Sequence, residues 1–246
     1  MLEILRQIFY IPLYNAFALF LSIPYVDAGL AVILFTVVIR GILYPLSKKA
    51  LLSQMRIQEL QPELAELRNK YKDNKEEQAR RMMALYKDKN INPFSGILFL
   101  LLQIPIIISL YYIFSSGALA SINASLLYSF VPIPPVNDHT LFGIIDLTAK
   151  SITMAVLAGV SQYFVAYFQQ RKQPQKPKVD GAKRTFQDDL ARSMSFQMKY
   201  VFPLLAGIFA LNLPSVIGLY WTVGALFNIF QEILLRKERE KFTPQS

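Results

Sequence analysis

The chain has 246 residues, 53% of them hydrophobic, and its 26 Lys and Arg against 17 Asp and Glu give a net charge of +9. The apolar residues lie in blocks of about twenty with almost no charge, the length a helix needs to cross a bilayer, which excludes a soluble globular domain, a disordered chain and a fibrous repeat. With no cysteine and one histidine, disulfides and thiolate sites are excluded, and a catalytic triad or multi-histidine metal site is nearly excluded.

The composition of the N-terminal region, residues 1–27, predicts that it forms an interfacial amphipathic helix on the outer face of the membrane. Its uncharged run from Ile8 to Val26 contains two prolines and several polar side chains, which suits a helix lying in the interface. A sixth span or an uncleaved signal anchor is the alternative, because only Asp27-Ala28-Gly29 separates this run from the next. Both interpretations leave the next segment crossing from outside to inside.

The remaining apolar runs predict a five-span helical bundle, an all-α integral membrane protein. The last run is too long for one crossing, and Asn212-Leu213-Pro214-Ser215 within it is a turn signal because proline blocks helix continuation. This division leaves a short fourth span, which implies local thinning of the bilayer. The predicted spans are 28–47, 93–116, 149–170, 199–212 and 215–235.

The basic residues are distributed unequally between the two sides. The stretches that follow spans one, three and five hold 11, 8 and 4 of the 26 Lys and Arg residues, whereas only Arg6 and Lys150 lie on the opposite side. Positive charge marks the cytoplasmic side of a membrane protein. This topology accounts for the net charge without a dedicated nucleic-acid-binding function, and ribosomal RNA is a candidate secondary contact. The connecting segments are a cytoplasmic helical hairpin at 48–92, an external loop at 117–148, a cytoplasmic loop at 171–198 and a cytoplasmic C-terminal tail at 236–246.

The sequence pattern of the hairpin predicts two amphipathic helices. An apolar stripe at helical spacing precedes Asp73-Asn74, which breaks it, and a second helix follows. Met82, Met83 and Tyr86 share one face of this second helix. That face either packs within the hairpin as a connector or docks a partner or nascent chain, since methionines adapt to varied clients. The pattern favours neither interpretation.

Arg40 lies within the first span, eight residues before Lys48. At 1.5 Å per residue it sits about 12 Å above the cytoplasmic boundary, where insertion costs on the order of 2.5–3.5 kcal/mol. Snorkelling to the headgroups would relieve this cost. The spans offer only Glu232 as a counter-ion, and Glu232 also has Arg236 four residues away. We therefore favour a water-filled cavity at Arg40 over snorkelling.

Other polar and aromatic side chains interrupt the spans at similar depth. They are Gln103, Gln162, Tyr163, Trp221 and Asn228. Such residues more often mediate helix contacts or anchor an interface than form a site, so their spacing is compatible with a polar groove without establishing one. The chain lacks a phosphate-binding loop and an HExxH motif, and no carboxylate pair lies inside the spans. We expect no enzymatic activity, no metal and no cofactor.

Eight short segments form an ordered set along the chain. They are Arg40-Gly41-Ile42-Leu43-Tyr44-Pro45-Leu46, Gln61-Pro62, Met82-Met83-Ala84-Leu85-Tyr86-Lys87, Asn92-Pro93, Gln103-Ile104-Pro105-Ile106, Leu110-Tyr111-Tyr112, Leu213-Pro214-Ser215 and Gly218-Leu219-Tyr220-Trp221. Each is weak alone. In this order, with five spans and a basic hairpin, they resemble a YidC-type membrane-protein insertase, of the superfamily that includes the mitochondrial Oxa and chloroplast Alb insertases.

The resemblance implies a hydrophilic groove at Arg40 that is open to the cytoplasm and to lipid and closed toward the outside. It implies that Gln162 and Trp221 also line the groove, and Tyr163, Gln103 and Asn228 are our own additions. A short, often acidic tail of a nascent membrane protein would be attracted to Arg40. Its apolar segment would then slide into lipid along residues 94–116 and 151–170, driven by burial of apolar surface at about 25 cal/mol per Å² and without nucleotide hydrolysis.

The resemblance also implies a multi-pass protein of the bacterial inner or plasma membrane. Its expected partners are nascent membrane proteins and membrane lipid, with the Sec translocon and the ribosome as further candidates, the ribosome through the basic cytoplasmic loops. The alternative function is a membrane channel or small-solute transporter. Inverted repeats with matching broken helices would favour that alternative, and the sequence contains one broken helical run.

Overall fold

The computed structural model describes residues 3–115, 117–119, 121–134, 139–170 and 196–242. Within these residues the chain is mostly helical, and the predicted all-α integral membrane fold is confirmed. The cytoplasmic loop predicted at 171–198 lies almost wholly outside the described residues, as do residues 243–246 of the tail.

The described residues form helices α1 to α8. Five of them are long and apolar enough to cross a membrane: α1, α2, α5, α6 and the apolar part of α8. These are not the five predicted spans, because α1 is included while the helix predicted at 199–212 is shorter than the others. The helices are α1 (Glu3–Leu21), α2 (Ala28–Glu59), α3 (Gln61–Lys70), α4 (Lys75–Asp88), α5 (Ser95–Ser115), α6 (Ile152–Gln170), α7 (Phe202–Asn212, preceded by a π-helical turn at Gln197–Val201) and α8 (Ser215–Phe242).

Helix α2 begins at Ala28 because Asp27 caps it, its carboxylate accepting a hydrogen bond from the Leu30 N–H at 2.6 Å. The helix continues through Pro45 for 32 residues, which is about 48 Å and longer than the roughly 30 Å hydrocarbon core. The predicted span 28–47 is thus the first part of a longer helix that leads directly into the hairpin. Helices α3 and α4 lie at one end of the bundle, which we call the hairpin end, and residues 121–134 and 139–149 lie at the other, which we call the loop end.

The hairpin of α3 and α4 has a small core of its own. Asn74 caps α4 by accepting the Glu77 N–H at 3.0 Å, and the Gln78 amide donates to the Arg68 carbonyl at 2.9 Å across the turn. The Asn74 cap begins α4, and the Gln78–Arg68 bond ties α4 to α3. The core consists of buried Leu60, Leu64 and Ile91, with Ile57, Met82, Leu85 and Tyr86 packed against them.

Helix α8 is central to the bundle, packing against both α2 and α6, while α6 packs closely on α7. Small residues allow these close approaches. A β carbon at Gly159 would lie 3.3 Å from the Pro203 carbonyl oxygen, and one at Gly218 would lie 3.1 Å from the Met154 carbonyl oxygen. Helix α5 packs instead on α1 and α2, so α5 and α6 lie on different sides of the bundle.

The loop end is held by hydrogen bonds from α1. The Tyr14 hydroxyl accepts the Asn123 N–H at 2.6 Å, and the Asn15 side chain accepts the Tyr128 N–H at 2.6 Å and donates to the Leu126 carbonyl at 2.9 Å. These side chains are buried in α1. Helix α1 is therefore packed into the bundle through one face. Its predicted location in the interface stays a prediction, because its length and hydropathy also suit a span.

Two short strands that the sequence did not predict complete the loop end. Strands β1 (Thr140–Leu141) and β2 (Ile145–Asp146) pair antiparallel. The turn between them is tight, with positive φ at Phe142 and Gly143, a conformation for which glycine is well suited. The β-hairpin formed by β1 and β2 lies over the start of α2, where Leu141 packs on Gly29.

Candidate functional site

The Arg40 side chain extends from α2 to α8. Its Nη1 donates to the Asn228 side-chain oxygen at 3.4 Å. One turn earlier on α8, Gly224 leaves space for the guanidinium, since a β carbon there would lie 2.8 Å from Nη2. Residues four apart lie on one face of a helix, so Gly224 and Asn228 together form the surface on which the guanidinium rests.

Several polar atoms around Arg40 are buried without a hydrogen-bond partner among the described residues: Arg40 Nε, both polar atoms of the Gln103 side chain and the Tyr220 hydroxyl. The Tyr220 hydroxyl lies close to Arg40 and Gln103. No carboxylate of the described chain lies within ion-pair distance of Arg40. We call Arg40, Gln103, Tyr220 and Asn228 the Arg40 cluster.

Several polar groups of the Arg40 cluster lack hydrogen-bond partners among the described residues. A buried polar atom without a partner costs about 1–3 kcal/mol, and a charge costs more. One amide oxygen at 3.4 Å from Arg40 is a weak contact by comparison with an ion pair. The cluster is therefore suited to receive polar or anionic groups from outside the chain.

Polar contacts continue from the Arg40 cluster toward the hairpin end. The Gln231 amide of α8 donates to the Ser47 hydroxyl of α2 at 2.8 Å, although Gln231 is only 3% exposed. Ser47 lies two turns beyond Arg40, about 10 Å along α2. In the opposite direction the helices bury apolar side chains, among them Phe35 and Val216, both 0% exposed. The polar contacts that continue from Arg40 thus run toward the hairpin end, whereas Phe35 and Val216 belong to an apolar core on the other side.

The loop end closes over this apolar core. The Asp27 carboxylate accepts the Phe142 N–H at 2.8 Å in addition to capping α2. The Ser215 hydroxyl donates to the Asp146 carbonyl at 2.6 Å, and the Ser215 N–H donates to the Ala149 carbonyl at 2.8 Å. Both α2 and α8 are therefore tied at their N-termini to the β-hairpin. A polar route from the loop end to Arg40 would have to break these contacts and cross the apolar core.

The structure brings together three of the predicted groove residues, Arg40, Gln103 and Asn228. Trp221 lies on the neighbouring face of α8, packed against Ala155, Ala158 and Ala210 of α6 and α7. Gln162 is half-buried on α6. Tyr163 is in a different location, where its ring contacts those of Tyr167 and Tyr200 at centroid distances of 6.4 and 6.1 Å. These aromatic rings lie between α6 and α7, apart from the Arg40 cluster.

Sequence reasoning missed two residues of the site, Tyr220 and Gly224. A signal for Gly224 was present, because nine residues past Ser215 place it about 13 Å into the bundle, near the depth of Arg40. Its role became visible only once α2 and α8 were found in contact. Tyr220 adjoins Trp221 in the sequence, and an isolated tyrosine within an apolar run carries no signal of its own.

The residues predicted for client docking on the hairpin have different environments. Met82 and Tyr86 pack against the buried core of the hairpin, whereas Met83 is 47% exposed. The contacts of Met82 and Tyr86 correspond to the connector interpretation. Met83 is the member of this set with a largely free surface.

Known proteins match this chain over most of its length. The model of the 60Kd inner membrane protein family matches residues 20–242. A protein named membrane protein insertase YidC from Clostridium tetani (strain Massachusetts / E88) is 30% identical over 233 residues, which cover 95% of this chain and 92% of that protein. Its counterpart from Clostridium perfringens (strain 13 / Type A) is 31% identical over 234 residues, covering 92% of this chain and 88% of that protein. One from Shewanella pealeana (strain ATCC 700345 / ANG-SQ1) is 31% identical over 233 residues, 94% of this chain but 37% of that protein.

Proposed function

The chain belongs to the 60Kd inner membrane protein family, that of the YidC and Oxa insertases, and from this membership we propose that it inserts nascent membrane proteins into the bacterial inner membrane. The curated relatives it matches are named as insertases, and the chain has five helices able to span a bilayer. The channel or transporter alternative is not favoured by these relatives.

The observation that carries the mechanism is the environment of Arg40. Its guanidinium rests on Gly224, has one weak amide contact with Asn228 and keeps a buried Nε without a partner in the described chain. An arginine held in this way at membrane depth attracts an acidic group strongly, because few solvent dipoles screen it. We assign Arg40 the role of drawing the hydrophilic tail of a client into the groove.

The direction of entry follows from the polarity of the bundle. Polar contacts run from the Arg40 cluster through Ser47 and Gln231 toward the hairpin end, and the loop end is tied by Asp27 and Ser215. The excess of Lys and Arg in the segments at the hairpin end supports a cytoplasmic location for that end. A client tail would therefore enter from the cytoplasm and stop at Arg40 below the closed loop end.

Release into lipid would use the apolar outer faces of α5 and α6. Leu101 and Ile104 of α5 are 59% and 44% exposed, and Val156 and Val160 of α6 are 56% and 48% exposed. A client segment leaving the groove over such surfaces stays in contact with apolar groups. Burial of its own apolar surface, at about 25 cal/mol per Å², is sufficient as a driving force without nucleotide hydrolysis.

The hairpin is the proposed contact for cytoplasmic partners. It projects beyond the bundle because α2 is longer than a bilayer is thick. Its exposed basic residues and Met83 suit an RNA-rich or nascent-chain surface. The ribosome and the Sec translocon remain candidate partners on this basis.

Reconstitution into liposomes tests the proposal. A single-span client with a short acidic tail is added without nucleotide, and protection of the tail from external protease is measured. We expect protection with the wild type, loss with Arg40→Ala and partial recovery with Arg40→Lys. Lys150→Ala is the control for loss of a positive charge, because Lys150 is exposed before α6 and lies outside both the hairpin and the Arg40 cluster.

A second client with the tail acids changed to their amides separates charge attraction from general hydration. If the mechanism is correct, Arg40→Ala impairs the acidic client more than the amide client. Equal protection of both clients by all variants would keep the insertase function and reject the role of Arg40. No protection above empty liposomes would reject the function itself.

A further inference from the structure

A second groove lies between α6 and α7, separate from the Arg40 cluster. It has a volume of about 440 Å³ and an almost wholly apolar lining. Gly159 and Gly207 form part of it where the two helices approach closely. The groove ends at Tyr163 and Tyr200, and its other lining residues include Val160 and Leu204.

The dimensions of this groove restrict what can occupy it. From Ile152 to Tyr163 it follows α6 for eleven residues, about 16 Å, and its lining is almost wholly apolar over this length. An elongated apolar groove of this kind suits an extended hydrocarbon chain.

A cation lies at the tyrosine end of the groove. The Lys199 ammonium is 5.3 Å from the centroid of the Tyr200 ring and 5.6 Å from that of Tyr167. No carboxylate of the described residues lies within ion-pair distance of Lys199. Tyr200 links the two features, since it both lines the groove and contacts the lysine. An ammonium held by aromatic rings at the end of an apolar groove is complementary to an anionic lipid headgroup.

We propose that this groove binds one acyl chain of an anionic phospholipid, with its phosphate at Lys199. From Lys199 to Leu211 the groove follows twelve residues of α7 and of the π-helical turn before it, about 18 Å. Lys199 lies at the end of this segment toward the hairpin end, whereas Leu211 lies beside the turn into α8 at the loop end. The acyl chain would therefore extend from the phosphate at Lys199 toward the loop end. This lipid site does not depend on the insertase activity.

The single tryptophan of the chain reports on the groove. Trp221 packs against the buried cluster of Ala155, Ala158 and Ala210, and one member of this cluster, Ala155, lines the groove. Brominated acyl chains in the groove would therefore quench Trp221 fluorescence at short range. The protein is reconstituted in zwitterionic lipid, and brominated phosphatidylglycerol or brominated phosphatidylcholine is added as the same small fraction. No client is present, so the result is separate from any insertion assay.

We expect brominated phosphatidylglycerol to quench Trp221 at about fivefold lower mole fraction than brominated phosphatidylcholine, the preference that one lysine gives for anionic lipid. Lys199→Gln should abolish this preference and Lys199→Arg should retain it. Lys49→Gln is the matched control, because Lys49 is an exposed lysine on α2. Equal quenching by the two lipids in the wild type, or an unchanged preference in Lys199→Gln, would overturn the proposal.

A second variant tests the groove itself. Val160→Phe fills the lining with a larger side chain, and we expect weaker quenching by brominated phosphatidylglycerol. Val38→Phe is its control, since Val38 is similarly exposed at 44% on α2 and is outside the groove. Circular dichroism and gel filtration of each variant verify folding. Equal quenching in Val160→Phe and Val38→Phe would show that the lipid is bound elsewhere.

Discussion

Gly224 and Arg40 occupy one space between α8 and α2. A β carbon at Gly224 would lie 2.8 Å from Arg40 Nη2 and 3.4 Å from Nε, so the absence of a side chain on one helix allows the guanidinium of the other to lie flat against its backbone. This contact determines where the charge sits. It holds the guanidinium at α8 and away from the hairpin-end headgroups, a position that snorkelling would not produce.

Gly224→Ala is expected to displace the guanidinium, because the new methyl group overlaps Nη2. The Arg40 side chain is flexible at its end, so the bundle should remain folded while the charge moves. We expect insertion of an acidic-tailed client to fall on the order of tenfold, equivalent to about 1.4 kcal/mol, as measured by protease protection in liposomes.

Gly41→Ala is the matched control for this prediction. Gly41 adjoins Arg40, and a β carbon there would meet nothing within 4 Å. Alanine should be neutral or should stabilise α2 by about 0.5–1 kcal/mol. A loss of insertion as large as that in Gly224→Ala would contradict the positioning role of Gly224.

Asn228→Asp is expected to neutralise Arg40 from within the bundle. A carboxylate at the present 3.4 Å from Nη1 would have a Coulomb attraction of about 5 kcal/mol at an effective dielectric of 20, reduced by the cost of burying it. Thermal unfolding in detergent should shift to higher temperature. Insertion of acidic clients should fall, because the ion pair competes with the client tail.

Asn228→Asp should raise stability while lowering insertion, and two further variants test the cause of this opposite effect. Asn228→Ala removes the amide contact without adding charge, so it should leave acidic clients inserted at close to the wild-type level. Asn228→Asp combined with Arg40→Ala should be less stable than Asn228→Asp alone, since the carboxylate loses its partner. Full activity of Asn228→Asp toward acidic clients would contradict a mechanism based on a free positive charge.

Leu64→Ala is expected to loosen the hairpin without affecting the bundle. Leu64 is 0% exposed in the core of the hairpin, and Leu→Ala at such sites costs about 2–5 kcal/mol. Hydrogen exchange measured by mass spectrometry should show faster exchange in α3 and α4 and unchanged exchange in α8. Met83→Ala, at an exposed position, should leave exchange unchanged throughout, and faster exchange in this variant would show that Met83 has a packing role.

Thr148→Ala is expected to change the titration of the loop end. The Thr148 hydroxyl and its backbone N–H donate to the Asp146 carboxylate at 2.6 and 2.8 Å and hold the pKa of that carboxyl below its ordinary value of 3.8. A lowered pKa stabilises the folded state at pH values above 3.8, and this contribution is lost as the pH falls through the folded pKa. Asp146 is exposed, so the effect on stability should be small.

The measurement is an NMR titration of the Asp146 side-chain carbon. Thr148→Ala should raise the pKa toward its ordinary value, while Thr148→Ser, which keeps the hydroxyl, should preserve the lowered pKa. An unchanged pKa in Thr148→Ala would show that the backbone N–H alone is sufficient.

The hairpin shows the limit of periodicity as a guide to function. Helical spacing placed Met82, Met83 and Tyr86 together on one face of α4, and both a connector and a docking face fitted that pattern. In the structure Met82 and Tyr86 pack against the hairpin core of Leu60, Leu64 and Ile91, while Met83 stays exposed. A stripe of apolar residues identifies the buried side of a helix only when the partner helix is known.

The sequence by itself determined the fold class, because a bilayer imposes a length and a hydropathy that helices must satisfy one by one. It also identified Arg40, Gln103 and Asn228 as unusual, since polar groups at that depth are costly wherever their neighbours lie. Only the tertiary structure decided which of them meet. Arg40 and Asn228 are 188 residues apart, and their contact depends on the rotation of α2 and α8 about their axes.

That rotation is set by packing between helices, for which periodicity within one helix carries no information. Gly218 and Gly224 determine how closely α8 approaches Met154 and Arg40, so their meaning appears only when both helices are in place. The same reason separates Tyr163 from the Arg40 cluster: it has a suitable depth on α6, but its helix face turns toward Tyr200 and α7. Depth along a helix can be counted from the sequence, whereas facing depends on the neighbouring helix.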